Sequence, residues 1–322
     1  MANNNDNRFR YVVFSPYFGK LPIWFNLWLK SCSFNSDFKF IVFTDDDISN
    51  YVVPDNVTII CLSFDEFRNM VQKRFDFKIV LDNPYKLCDY KPAYGYIFSD
   101  YIEDYEYWGY CDLDIIFGRI SDFMPSYEFE KISHLGHFCL YKNTERNNKA
   151  FMDNPENAIS YREIFSDDQH FGFDEIGNYG INDIYKMKKM RIGNFESNAA
   201  DVDCRKKRFF LIKYINDRFV REKEEKFFVF DAGKILSYDI RDRKKVYEYP
   251  YVHFQKRKMI NSVKNEKKFI IADYGFLDYC APDSFDYNRI NKGVDLKWLK
   301  FGLLSGYKRT KRLLAIKKIQ KR

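Results

Sequence analysis

Five elements crowd into the first 75 residues, and their order constrains the fold more than any other feature of the chain. Arg10-Tyr11-Val12-Val13-Phe14-Ser15 reads as a short buried strand stopped by Pro16 and Gly19. Ile23 to Cys32 is apolar, follows Pro22 and reads as a helix. Phe38 to Thr44 and Val57 to Leu62 are two further strands. Ser63, with Glu66 three residues on, forms a capping box that opens a helix to about Phe75. Strand, helix, strand, strand, helix is the opening of an α/β sheet with parallel strands and crossovers. A chain of 322 residues suits one such domain of roughly 250 residues with appendages.

The pattern continues with a loop over 76–90 and a helix from Lys91 to Tyr101, with Pro92 in its first turn. Glu106 to Cys111 is a strand, interrupted by Asp112 and Asp114 and resumed at Ile115 to Phe117. Lys131 to Leu140 reads as a strand and Asn182 to Met190 as a helix. Arg208 to Tyr214 and Phe227 to Asp231, the latter ending in an Ala232-Gly233 turn, read as later antiparallel strands.

Thirty-three Phe and 25 Tyr supply a packed core and, through Tyr, a cleft lining. The seven cysteines show no C-x-x-C pair, which points to free thiols in a reducing compartment rather than a zinc site or disulfide framework. Residues 1–9 are polar, Asn-rich and expected to be disordered, with no apolar stretch of a signal peptide. No run of 18 apolar residues exists, so no membrane-spanning helix is expected and the protein reads as cytoplasmic. The net charge of +7 is unevenly spread: removing the ten Lys and Arg of residues 297–322 leaves a body at −3.

Four clusters carry chemistry. In Tyr107-Trp108-Gly109-Tyr110-Cys111-Asp112-Leu113-Asp114, alternation at a strand end puts the carboxylates of Asp112 and Asp114 on one side. Hard cations such as Mn²⁺ or Mg²⁺ take such oxygen ligands and complete their shell from substrate phosphates. D-x-D also occurs at Asp45-Asp46-Asp47 and Asp201-Val202-Asp203, the latter in a polar stretch read as a solvated acidic turn. In Tyr251-Val252-His253-Phe254-Gln255-Lys256, His253 suits a third metal ligand and Lys256 a phosphate contact. Lys86, Asp89 and Lys91 surround a helix start and suit phosphate and ribose. Gly172-Phe173-Asp174-Glu175 offers paired acids, Asp174 and Glu175, for an acceptor-side base or stabiliser.

Taken together, the Ser15-Pro16-Tyr17-Phe18-Gly19 loop, Thr44-Asp45, Tyr85 to Pro92, Trp108 to Asp114 and His253-Phe254-Gln255-Lys256 resemble a bacterial family of glycosyltransferases found among capsule and surface-polysaccharide genes. More distantly the chain is similar to glycosyltransferase families 8 and 32. The resemblance spans about residues 10–260 and is most specific over 85–118. It implies an α/β, GT-A-like (Rossmann-like) mixed sheet flanked by helices over 10–275, with a C-terminal extension over 276–322. It also implies Asp112 and Asp114 at metal and donor ribose, Asp89 or Lys91 at the sugar or phosphates, and Ser15, Tyr17, Phe18 and Asp45 near the base and ribose. The late H-x-x-G-x-x-K of family 8 is matched only loosely, since no Gly separates His253 from Lys256.

In the extension, Trp298, Phe301, Leu304 and Tyr307 recur every third residue among lysines and arginines, a basic amphipathic helix suited to an anionic membrane surface. The acidic body argues against nucleic acid. The expected activity is metal-dependent transfer of a hexose from a nucleotide-sugar, UDP-linked, to a surface polysaccharide or lipid-linked oligosaccharide at the inner face of the plasma membrane. A metal-dependent nucleotidyl- or phosphotransferase and a catalytically silent membrane-docked scaffold are the alternatives.

Overall fold

Residue alternation along the first strand creates the two faces of the main sheet. In the computed structural model, which describes residues 9–154, 158–175, 180–215, 218–255 and 257–287, β1 (Tyr11–Pro16) sends Tyr11 and Val13 into one hydrophobic core and Val12 and Phe14 into another. A strand covered on both faces needs apolar residues throughout, hence the unbroken run. β2 (Phe38–Thr44) lies parallel to it in register Tyr11↔Phe38, with β3 (Val57–Cys61) beyond. β4 (Tyr107–Cys111) lies parallel on the other side, in register Tyr11↔Tyr107.

After β4 the chain leaves this sheet in β5 (Ile115–Phe117) and returns in β6 (Lys131–Ile132), β7 (Phe138–Lys142) and β8 (Ile192–Gly193). The main sheet has seven strands in the order β3-β2-β1-β4-β7-β6-β8, with β7 antiparallel to β4. Gly109 permits that pairing, because a side chain there would run into the Cys139 carbonyl. α1 (Phe25–Cys32) covers one face with Phe25, Trp28 and Leu29, and α2 (Phe64–Gln72) the other with Phe67 and Val71. The expected capping box forms: Glu66 N–H donates to Ser63 Oγ at 3.2 Å, and Ser63 N–H to Glu66 Oε2 at 2.8 Å. The result is the mixed α/β sheet flanked by helices that the sequence predicts.

The second half adds β9 (Ala200–Asp201), a hairpin of β10 (Ile212–Ile215) and β11 (Arg218–Arg221), then β12 (Lys226–Asp231), β13 (Lys234–Asp239), β14 (Val246–Tyr249) and β15 (Tyr251–His253). β16 (Ile260–Asn261), β17 (Lys268–Ala272) and β18 (Gly275–Asp278) complete a six-stranded sheet, order β14-β13-β12-β17-β18-β16. Its first hairpin turns at Ala232 and Gly233 with φ of 45° and 88°, the left-handed geometry that suits a two-residue loop. β15 instead joins β5 and β9 in a three-stranded sheet.

Several expected elements are cut differently. The helix over Lys91 to Tyr101 is a chain of short turns (Lys91–Ala93, Tyr94–Ile97, Ser99–Tyr101), with Pro92 at its start and Gly95 pressed against the Trp108 indole. The strand over Lys131 to Leu140 divides into β6 and β7 because Ser133 takes a φ of 74°. The strand from Arg208 begins only at Ile212, Leu211 being held in an isolated bridge to Val202. All seven cysteines are free, three of them buried (Cys32, Cys111 and Cys139) and Cys61 exposed. The first eight residues and the basic helix expected at 297–322 lie outside the described residues.

Candidate active site

The acidic segment sits where the chain changes sheets. β4 ends at Cys111 in the main sheet and β5 starts at Ile115 in the three-stranded one, so Asp112-Leu113-Asp114 forms the bridge between them. The two acids are therefore not alternate residues of one strand, as the sequence suggests. They share a side because the bridge is pinned at each residue. Asp112 N–H donates to the His137 carbonyl at 2.9 Å, the Trp24 indole N–H to the Leu113 carbonyl at 2.9 Å, and Phe254 N–H to the Asp114 carbonyl at 3.1 Å. The Leu113 side chain turns into the core, and the carboxylates on either side of it line the cleft.

β15 runs beside β5 in register His253↔Ile115, which brings the imidazole to Asp114, with Nε2 3.3 Å from Oδ1. The other ring nitrogen, Nδ1, meets Asp201 Oδ1 at 2.8 Å, and Gln255 Nε2 donates to the same oxygen at 2.7 Å. Asp112, Asp114 and His253 each offer a ligand atom within 4.8 Å of the others. Two carboxylates and an imidazole, with the rest of the shell open to the cleft, fit Mn²⁺ or Mg²⁺. The Asp201 carboxylate behind the ring is the outer contact that orients metal-binding imidazoles. Burial disfavours charge on His253, but Asp114 and Asp201 outweigh it and raise the imidazole to about 10. The cleft thus favours positive charge at this point. His137 stacks on His253 with ring centroids 3.9 Å apart and bonds the Tyr251 hydroxyl through Nε2 at 2.9 Å. Burial, with His253 beside it, holds His137 well below its usual value and therefore neutral.

Lys91 joins the acids from the other wall. Its Nζ donates to Asp112 Oδ1 at 2.7 Å and to the Gly136 carbonyl at 2.8 Å, and lies 3.2 Å from Asp174 Oδ2. Burial opposes the charge, yet Asp112 and Asp174 outweigh it and hold the ammonium well above its usual value. Asp174 is buried and its Oδ1 meets no hydrogen-bond partner among the described residues. Burial raises its carboxyl above the usual carboxylate range, against the pull of Lys91. Gly136 makes room for it, since a Cβ there would stand 2.7 Å from Asp174 Oδ2. Glu175 lines the same cavity.

Lys86 and Asp89 lie one layer behind the cleft, both buried, rather than in it. Lys86 Nζ donates to Asp89 Oδ2 at 3.0 Å and to the Ile164 carbonyl at 2.8 Å. Asp89 accepts the N–H groups of Phe171, Gly172 and Phe173 at 2.9, 2.6 and 3.0 Å. The pair therefore fixes the turn that presents Asp174. Ser15 is likewise structural in its contacts, its hydroxyl donating to the Cys111 carbonyl at 3.0 Å. Asp45 accepts the Gly19 N–H at 2.7 Å and braces the first loop, while Tyr17 and Phe18 line the cleft. Lys256 lies outside the described residues. Its neighbour Arg257 reaches the cleft wall, with its guanidinium donating to the Lys207, Asp203 and Lys206 carbonyls at 2.7, 3.1 and 2.6 Å.

Two cavities meet at Lys91, Asp112 and Asp114. One of about 480 Å³ is mainly apolar and lined by Tyr17, Phe18, Trp24 and Arg257. The other, about 350 Å³, holds His137, Asp174, Glu175, Asp201, Arg205, Phe219 and His253. Asp201 and His137 are among the site residues that the sequence conceals. The solvated acidic turn expected at 201–203 is in fact buried at both acids. Its signal was Ala200 and Val202 flanking Asp201, a spacing that suits a short covered strand.

Two solved structures of the glycosyltransferase GlyE in Streptococcus pneumoniae TIGR4, one of them in the apo form, align with 58% of this chain and 45% of their own. Identities are 15% and 14%, with TM-scores of 0.31 and 0.32, and the match spans less than half of those chains. No curated protein matches the sequence. A family of unknown function, DUF6625, matches residues 13–280, which is most of the chain. With all the described cleft residues inside that span, the chain belongs to this family of unknown function.

Proposed function

We propose that the chain is a metal-dependent glycosyltransferase that moves a hexose from a nucleotide-sugar, UDP-linked, to a surface-polysaccharide or lipid-linked oligosaccharide acceptor. The observation that carries this reading is the meeting of two cavities at Asp112 and Asp114, with His253 in ligand range of both. A transferase of this kind needs one compartment for an aromatic base and ribose, a cation-holding junction for the diphosphate, and a second compartment for the sugar and acceptor. Tyr17, Phe18 and Trp24 supply stacking surface in the apolar cavity. Arg257 adds a cation to that wall.

Asp112, Asp114 and His253 would hold Mn²⁺ or Mg²⁺, which when bound supplies charge neutralisation for the departing diphosphate. Lys91 orients Asp112 and keeps positive charge beside the leaving group. As the bond from the anomeric carbon to the phosphate oxygen breaks, the acceptor oxygen bonds to that carbon and its proton passes to Glu175. Asp174, with Oδ2 3.2 Å from Lys91 Nζ, holds that ammonium in place on the wall it shares with Glu175. The basic helix expected at 297–322 would dock the enzyme on an anionic membrane where lipid-linked acceptors reside.

Incubating the purified chain with a panel of UDP-sugars and Mn²⁺ tests the proposal by release of free UDP. The expected outcome is metal-dependent release that Asp112→Ala lowers by roughly 100-fold or more. Release of pyrophosphate would indicate nucleotidyl transfer instead. No release, with Asp112→Ala behaving as wild type, would sink the reading.

A further inference from the structure

The β10–β11 hairpin is paired with no other strand among the described residues, yet it forms one wall of the charged cavity. Its cross-strand pairs are Ile212↔Arg221, Lys213↔Val220, Tyr214↔Phe219 and Ile215↔Arg218. Pairs directly opposite share a face, so Ile212, Tyr214, Phe219 and Arg221 lie together, and Ile212 and Phe219 line the cavity. Phe219 remains 52% exposed, with its ring 5.3 Å from Tyr214. A ring left half in water on a two-stranded hairpin adds little to folding. Arg205 stands on the same cavity wall, fixed by Asp203, which accepts from its Nε at 2.8 Å and Nη2 at 3.0 Å. Asp203 is fully buried, so the guanidinium plane is held rather than left to sweep the solvent.

We infer that this hairpin face is the acceptor platform, where a pyranose saccharide lays its apolar C–H face on Phe219 and turns its hydroxyl rim to Arg205. The inference rests on the glycosyl-transfer reading and assigns its acceptor a place on the fold and the residues that hold it. The chemistry is specific to such rings. A pyranose has one face of C–H groups and an edge of hydroxyls, which match an exposed aromatic ring beside a fixed planar donor. Because Phe219 borders the cavity that also holds Asp114 and His253, a saccharide seated there extends toward the junction where transfer occurs.

Saturation-transfer NMR on the full chain, with UDP and Mn²⁺ present, tests this with lactose, cellobiose, maltotriose and chitotriose as probes. Binding of UDP with Mn²⁺ is measured in parallel by calorimetry. At least one saccharide is expected to show signals on ring C–H protons, weakened by roughly fivefold in Phe219→Ala and retained in Phe219→Trp. UDP binding and the thermal midpoint should stay unchanged in both variants, because Phe219 is half exposed and off the nucleotide cavity. Equal saccharide signals in wild type and Phe219→Ala, or none in wild type while UDP binds, would overturn the inference. Saccharide signals lost in Phe219→Ala without any UDP binding by the wild type would support the platform and contradict the transfer reading.

Discussion

His253 is where three distant stretches of chain meet. Its Nε2 faces Asp114 and its Nδ1 is held by Asp201, 52 positions away in sequence. If the imidazole is a ligand, Asp201 fixes which nitrogen it presents. Asp201→Asn should therefore lower Mn²⁺ affinity by roughly 10–100-fold while leaving the fold intact. Titrating Mn²⁺ by electron spin resonance checks this; unchanged affinity would show that Asp201 does not orient the ligand. At this scale the sequence discloses Asp112, Asp114 and His253, because their residue types and flanking apolar runs are local. It conceals Asp201 because a buried carboxylate is spelled like an exposed one. Only the remote partner distinguishes them.

Elements were most legible where their signal is periodic and local. The capping box at Ser63 and the left-handed turn at Ala232-Gly233 form where the residues predict them. The acidic bridge was harder. A strand interrupted at 112–114 and resumed at 115 looks continuous in sequence, whereas the two halves belong to different sheets. That exchange is decided by β15, some 134 residues downstream of β5. The turn at 171–174 follows the same rule, since it depends on Asp89 accepting three N–H groups. Asp89→Ala leaves those donors without their acceptor and the buried Lys86 ammonium without its counter-charge. It should cost about 3–5 kcal/mol of stability, measurable by urea unfolding. A loss below about 1 kcal/mol would mean that the turn is held by other contacts.

Across the whole molecule, the cleft between Asp112 and His253 lies where the chain passes from the seven-stranded to the three-stranded sheet. No described helix is long and apolar enough to cross a membrane. Stability at this scale carries a pH signature from Asp273, between β17 and β18. Burial raises its carboxyl to about 6, against Arg208 and Arg257. A folded value above the unfolded one means stability present in full below about pH 4 and lost as pH rises through about 6. Asp273→Asn should thus gain about 1–3 kcal/mol over wild type at pH 7.5 and nothing near pH 4, read from unfolding curves at both pH values. An equal difference at both would contradict the assignment.

On the proposed function, the bridge between the sheets holds a divalent cation for a nucleotide diphosphate. Calorimetric titration of UDP into the full chain, with Mn²⁺ and then with a chelator, tests it most directly, alongside Asp112→Asn and Asp114→Asn. Binding with Mn²⁺ should disappear with the chelator and fall by roughly tenfold or more in each variant. Binding of equal strength with and without the metal, unchanged by either substitution, would contradict it.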